Sequence, residues 1–196
     1  MYRYFIINKP VNTVSQFLST HDVGLLGDLD FNFPEGTHAI GRLDKDSEGL
    51  LLLTTDKRVT RLLFLAKEPH QRAYLVMVQN EMTSETFRQL KEGISIKIKN
   101  GESYIAKPTA IKIIKNPKEL YPFAGDHREV YAHTWLLITL TEGKFRQVRK
   151  MVLAARHRCQ RLIRLSISNI QLGEIKPGEV KEMDEKTFYS LLGIKS

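Results

Sequence analysis

The chain has 196 residues, 42% of them hydrophobic, enough for a sizeable core and one domain, with room for two lobes. Its net charge of +8 and pI near 9.5 favour a polyanionic partner, either nucleic acid or an anionic membrane surface. No apolar run approaches the roughly 18 residues of a membrane span, Met1–Asn8 lacks a signal-peptide layout, and a single cysteine, Cys159, excludes an internal disulfide and a cysteine metal cluster. A soluble, cytoplasmic protein is expected.

In chain order, Tyr4-Phe5-Ile6-Ile7 reads as a strand that halts at Asn8-Lys9-Pro10, because proline cannot donate to a sheet ladder. Residues 19–38 mix Gly, Asp, Pro and Asn and read as a long surface loop. Leu50–Thr54 is a strand by its flanks, and Lys57–Leu65 is a helix with Val59, Leu62 and Leu63 on one face. Ala73–Val78 has β-branched and aromatic strand character. Ser84–Lys91 is a short helix, capped by Thr83 or Ser84 and stopped by Gly93.

Ile94, Ile96 and Ile98 then alternate with polar residues and run into Asn100-Gly101, a hairpin signal. Ile111–Ile113 continues the sheet, residues 115–129 form a charged exposed loop, and Val130–Thr141 is a longer strand. A basic helix begins near Lys144, Leu172–Gly178 is a turn, and Met183–Leu192 is a closing helix. Strands in hairpin order with interspersed helices give an α+β class with a mainly antiparallel sheet.

Gly41-Arg42-Leu43-Asp44-Lys45-Asp46-Ser47-Glu48-Gly49-Leu50 is the most informative segment. It sets charges between an apolar approach, Ala39-Ile40, and a run of leucines, where an unpartnered charge is costly. Asp44, Asp46, Glu48 and Gly49 match the opening spacing of a calcium loop. The residue that should be a bidentate Glu is Thr55, however, and leucines occupy the ligand-bearing half, so calcium is rejected. For Asp46 and Glu48 the residues alone do not separate a solvated turn from a site role. Asp44 is distinguished by the Arg42-Leu43 that precedes it.

The second block is Glu142–Met151. On a helix, Val148, Met151, Val152 and Ala155 share a face. Arg146, Arg149, Lys150 and His157 lie opposite, with Leu153 intruding. Arg156, Arg158, Arg161 and Arg164 extend the basic density, and acids that could pair at i,i+4 are absent from 143 to 173. A solvated face and a membrane-surface helix are the competing readings, but the apolar face has no aromatic anchor, so RNA ranks first. The third block, Arg72-Ala73-Tyr74-Leu75-Val76, reads by itself as a strand with a packed aromatic. A metal-dependent nuclease would need a second acid cluster. The obvious one, Asp184-Glu185, is explained by helix capping.

Together the blocks resemble the pseudouridine synthase superfamily, and within it the RsuA-like ribosomal RNA synthases, over nearly the whole chain. Asn8-Lys9-Pro10, Gly41-Arg42-Leu43-Asp44 with Ser47–Leu52, the basic-x-Tyr-x-Val around Tyr74, Gly143–Met151 and Leu172–Gly178 are similar to that family's successive motifs. The departures are Arg72 in place of a frequent Lys, Val11-Asn12 after Pro10, Lys57 in place of Gly, and Ser166-Ile167-Ser168 in place of a frequent Ile-Gly ending. None touches the acid, the Tyr or the Arg. Many relatives carry an N-terminal RNA-binding domain of the S4 type. The Asn-Lys-Pro at residue 8 implies its absence, as in the large-subunit enzymes called the E type, and implies a single catalytic domain over 1–196.

The resemblance implies a pseudouridine synthase fold, a mixed sheet in two lobes with flanking helices and a cleft between. It implies isomerisation of one uridine in ribosomal RNA, of the large subunit, and assigns the catalytic roles to Asp44, Tyr74 and Arg149. A carboxylate at the sugar must stay ionised; burial opposes that and a bidentate guanidinium favours it, so the expected pair is Asp44 with Arg149. Whether Asp44 attacks the sugar or acts as a base at C2′ stays open. Tyr74 suits stacking on the flipped uracil and removal of its C5 proton. Arg42, Lys144, Arg146, Lys150 and Arg161 are expected to hold RNA, while Leu162 and Arg164 line the pocket, Arg164 also counting among the RNA ligands. No metal, organic cofactor or membrane is expected, and the chain is expected to be a monomer. A ribosome-associated RNA-binding protein without activity is the alternative.

Overall fold

A computed structural model describes residues 1–65, 69–126 and 131–194. In chain order the elements are β1 (Tyr4–Lys9), β2 (His38–Ile40), β3 (Glu48–Thr54), α1 (Arg58–Leu65), β4 (Arg72–Gln79), α2 (Ser84–Glu92), β5 (Ile94–Lys97), β6 (Ser103–Ala106) and β7 (Ala110–Ile114). They continue with β8 (His133–Leu140), α3 (Gln147–Ala154), β9 (Cys159–Ile167), β10 (Ile170–Gln171), β11 (Val180–Met183) and α4 (Glu185–Leu192). This is the α+β class that the sequence pattern predicts, with antiparallel pairing dominant. The chain divides into two compact units, Met1–His70 with Ile163–Ser196, and Gln71–Leu162. Among the described residues no helix is long and apolar enough to cross a membrane.

In the first unit β1 lies between β11 and β3, antiparallel to both. It extends two residues past the predicted stop, because Asn8 and Lys9 still have amides to give and only Pro10 lacks one. β3 also pairs with β2, and at Glu48 and Gly49 it runs parallel to Ile163 and Arg164. All seven of its residues are buried, so it reads as an unbroken apolar run rather than an alternation. Phe5, Ile7, Leu51 and Leu53 face one core with Leu26 and Leu43. Phe17, Leu29, Phe31 and Phe33 pack against that core, with Phe5 and Phe31 ring centroids 5.5 Å apart. The predicted surface loop at 19–38 is therefore a cover for the core. Its aromatic residues carry no period, and period is the signal by which a sequence reports burial.

The opposite face of β1 meets α4, with Tyr4 and Phe188 centroids 4.9 Å apart. Beneath it the fully buried Asp56 accepts from Tyr4 Oη at 3.1 Å, Tyr189 Oη at 3.0 Å and Arg58 Nη2 at 2.8 Å. The Arg58 bond chiefly holds the Asp56 carboxyl well below the usual carboxylate range. Burial, with the Tyr189 hydroxyl and the Asp56 carboxylate as hydrogen-bond partners, pushes Tyr4 upward. We expect Asp56→Asn to lower stability by about 2–4 kcal/mol, since both hydroxyls and the guanidinium lose their ionised acceptor. Because the folded carboxyl ionises below the unfolded value of about 3.9, this stabilisation is complete above that pH. It is lost as pH falls through the folded value. Urea melts of both proteins should converge on acidification below about pH 4.

In the second unit β4 pairs antiparallel with β8 over eight positions, and β7 flanks β8. β5 and β6 form the predicted hairpin, with Asn100 and Gly101 at φ of 68° and 78° in its turn. The Thr83 hydroxyl caps α2, accepting from Thr86 N at 3.2 Å. β8 starts at His133; Val130 and residues 127–129 of the predicted exposed loop lie outside the described residues. The basic helix differs from expectation at both ends. α3 starts at Gln147, with Arg146 as its N-cap in the left-handed region at φ 53°. His157 falls beyond it, buried, its Nδ1 2.8 Å from Gln79 O. The inner face is as predicted: Val148, Met151, Val152 and Ala155 are buried and Leu153 is exposed. The short strands β2 and β11 and the long β9 escape the sequence pattern, β9 because Arg161 and Arg164 interrupt its apolar run.

Candidate active site

Asp44 occupies the connection between β2 and β3. Gly41, at φ 74°, opens the turn. Leu43 is buried and clamped by the Ser15 hydroxyl, which accepts from Leu43 N and donates to Leu43 O, both at 3.0 Å. Asp44 begins a β-turn closed by Ser47 N donating to its carbonyl at 3.0 Å, a position aspartate favours. Asn12 N donates to Lys45 O at 2.8 Å. The backbone on both sides of Asp44 is thus pinned, while Asp44 itself stays half-buried and Arg42 and Asp46 are exposed.

Lys9 explains how that turn is held. It is fully buried at the end of β1, and its Nζ donates to Pro10 O at 2.9 Å and Thr13 O at 2.6 Å. Those bonds fold the 10–13 segment so that Asn12 reaches Lys45. Burial pushes the Lys9 ammonium down to about 8, against the carboxylates of Glu48, Asp46 and Asp44, which favour its charged form. We expect Lys9→Met to cost about 2–4 kcal/mol, because two carbonyls lose their donor and the acid cluster loses a cation. The folded value of about 8 lies below the ordinary lysine value of 10.5. The unfolded chain therefore binds more protons between those values, and stability from this residue rises with pH there. Denaturant titrations should show the wild-type advantage over Lys9→Met growing from about pH 8 upward.

Glu48 resolves the ambiguity left by its sequence: it is buried at 8% exposure, whereas Asp46 faces solvent. Arg164 is also buried, and its Nε donates to Leu50 O at 2.8 Å. It therefore secures β9 to β3 from within. The first unit brings together Asp44, Lys9, Glu48 and Arg164 around one turn.

The second unit carries the other predicted residues. Tyr74 is 9% exposed in β4, within the same apolar cluster as Val148, Met151, Val152, Ala155 and Leu162. Arg149 is half-buried on α3, whose inner face is that cluster. The turn before α3 is built by Glu142, whose carboxylate accepts from Tyr104 Oη and from Gln147 Nε2, the latter at 2.6 Å. The Tyr104 hydroxyl is raised chiefly by that bond. Gln147 Oε1 in turn accepts from Lys144 N at 2.9 Å. Lys144 is exposed with its Nζ 5.1 Å from the Tyr104 ring centroid. Lys150 Nζ donates to Lys97 O at 2.7 Å. Arg161 is 7% exposed, and its Nη1 donates to Phe123 O at 3.0 Å and Ala124 O at 2.7 Å.

Sequence reasoning missed Lys9 and Glu142 as site-building residues and left Glu48 open. The available signal was Lys9 directly before Pro10 in an otherwise apolar strand, a charge in a costly place.

Residues 3–154 match the family model described as RNA pseudouridylate synthase. A protein of Vibrio vulnificus named ribosomal large subunit pseudouridine synthase E is 35% identical over 183 residues, covering 92% of this chain and 75% of its own. An Escherichia coli protein named ribosomal small subunit pseudouridine synthase A is 26% identical over 191 residues, with 97% and 74% covered. A crystal structure described as a pseudouridylate synthase superposes with a TM-score of 0.74 at 26% identity, covering 97% of this chain and 74% of that one. With the family match spanning well over half its length, the chain belongs to the RNA pseudouridylate synthase family and is an enzyme of that kind.

Proposed function

We propose that this chain isomerises one uridine of large-subunit ribosomal RNA to pseudouridine, with the Asp44 carboxylate as the reacting group and residues 1–196 acting as a single catalytic domain and a monomer. The observation that carries the proposal is the turn at Asp44: its backbone is fixed from both sides while the residue stays half-exposed. A carboxylate so held loses little freedom on meeting a sugar. The reaction breaks the bond from C1′ to N1, whose electron pair stays on N1 and takes up a proton, and forms one from C1′ to C5, which loses its proton to restore the aromatic base. Electrons balance without an oxidant or co-substrate. The target nucleotide leaves its stack to reach the carboxylate. Tyr74 and Arg149 keep the roles that the family resemblance gives them, stacking with proton removal and counter-charge to the acid.

RNA is held by the exposed Arg42 and Lys144 with Arg146 and Lys150, through phosphates and with affinity that falls with salt. Arg161 and Arg164 support the scaffold instead. The large-subunit assignment rests on the synthase E named above, against which the small-subunit relative is the less similar at 26% identity.

The test is pseudouridine mapping of unmodified large- and small-subunit ribosomal RNA transcripts after incubation with the protein. One new pseudouridine, in the large-subunit transcript, is expected. A product only in the small-subunit transcript would keep the reaction and overturn the subunit assignment. Tight binding with no product would leave an RNA-binding protein.

A further inference from the structure

Phe145 stands exposed, at 72%, although a side chain of that kind gains by burial. It is not on a loose loop. Lys144, just before it, is bonded through both its N and its O to Gln147, at 2.9 and 3.1 Å. Gln147 is itself tied to Glu142. Arg146, just after it, holds the left-handed N-cap of α3 at φ 53° and gives its carbonyl to Lys150 N at 2.9 Å. The ring is therefore presented at the apex of a pinned turn. Its surroundings are cationic: Lys150 Nζ lies 5.4 Å from its centroid, and Lys144 Nζ lies 5.1 Å from the Tyr104 ring. The acid of this turn, Glu142, spends both oxygens on Tyr104 and Gln147.

We infer that Phe145 is a stacking platform for an unpaired nucleobase of the RNA, with Lys144 and Lys150 holding the phosphates on either side of that base. A rigid exposed π-face flanked by lysines is the chemistry by which single-stranded nucleic acid is gripped without reading its sequence. A purely anionic partner would have no use for the ring. An apolar protein partner would not call for the lysines around it. The platform is separate from Tyr74, which lies on β4 at the buried cluster that α3 covers. The inference rests on the proposal above that this basic segment holds RNA, and the experiment separates the two.

Wild type, Phe145→Ala, Phe145→Leu and Phe145→Trp are titrated with a fluorescein-labelled single-stranded oligouridylate over a range of salt, and with inorganic polyphosphate, which has charge but no bases. Stacking predicts that Ala and Leu each lose about 5- to 100-fold in affinity with the salt slope unchanged, while Trp retains it. It also predicts that the fluorescence added by Phe145→Trp, above the background of buried Trp135, is quenched by oligouridylate and not by polyphosphate. Salt-dependent binding with Leu as tight as wild type, or quenching by polyphosphate alone, would overturn the stacking site and leave the basic segment standing. Failure of wild type to bind oligouridylate with salt-dependent affinity would overturn both.

Discussion

Asp44→Asn is expected to lower the rate of pseudouridine formation by about 10³-fold or more while leaving RNA affinity nearly unchanged. The amide is isosteric, so the turn closed by Ser47 N and the bond from Asn12 N to Lys45 O survive. These contacts are made by main chain and do not depend on the side-chain charge. What is lost is the ionised oxygen, which no amide replaces as nucleophile or base. The checks are single-turnover pseudouridine assays on the mapped transcript and binding at matched salt. A slow rate with intact binding places the defect in chemistry. Equal rates for the two proteins would move the reaction to another residue, and the buried Glu48 would be the next to replace.

Gly49→Ala is expected to be the most damaging small substitution in the first unit, costing about 3 kcal/mol or more, or preventing folding. Gly49 has a φ of 97°, which other residues rarely adopt. An added Cβ would lie 2.4 Å from Arg164 O and 2.8 Å from Arg164 N. Both atoms are backbone at the parallel pairing of Gly49 with Arg164, so the strands must separate to admit a methyl group. That opening would also disturb the bond from Arg164 Nε to Leu50 O. Denaturant unfolding is the measurement. Gly36, where the same Cβ meets nothing within 4 Å and φ is likewise positive at 80°, is the control for backbone strain alone. Gly49→Ala no worse than Gly36→Ala would show that the strands accommodate the methyl group.

Much of the fold was legible locally. The strand at Ala73–Val78, the capped helix from Ser84 and the Asn100-Gly101 hairpin all follow from patterns within a few residues, and the structure places them within one or two positions. Short strands with few side chains to report a period, β2 and β11, were not visible. The start of α3 shifted because Arg146 adopts a left-handed cap, set by the Glu142–Gln147 bond rather than by the propensities of Lys144 and Phe145.

For the site, the sequence by itself determined the family, the kind of reaction and the residues worth testing. Those depend on which chemical groups occur in which order, and order is what a sequence records. Only the tertiary structure decided which charges face solvent. Lys9, Glu48, Arg161 and Arg164 are buried, whereas Arg42, Asp46 and Lys144 are exposed. A charged side chain is stable inside only where distant segments supply carbonyls or counter-charges: the Glu48 carboxylate for Lys9, Leu50 for Arg164, Phe123 and Ala124 for Arg161. Such partners, up to more than a hundred residues away in the chain, leave no trace in the local pattern around the residue they hold.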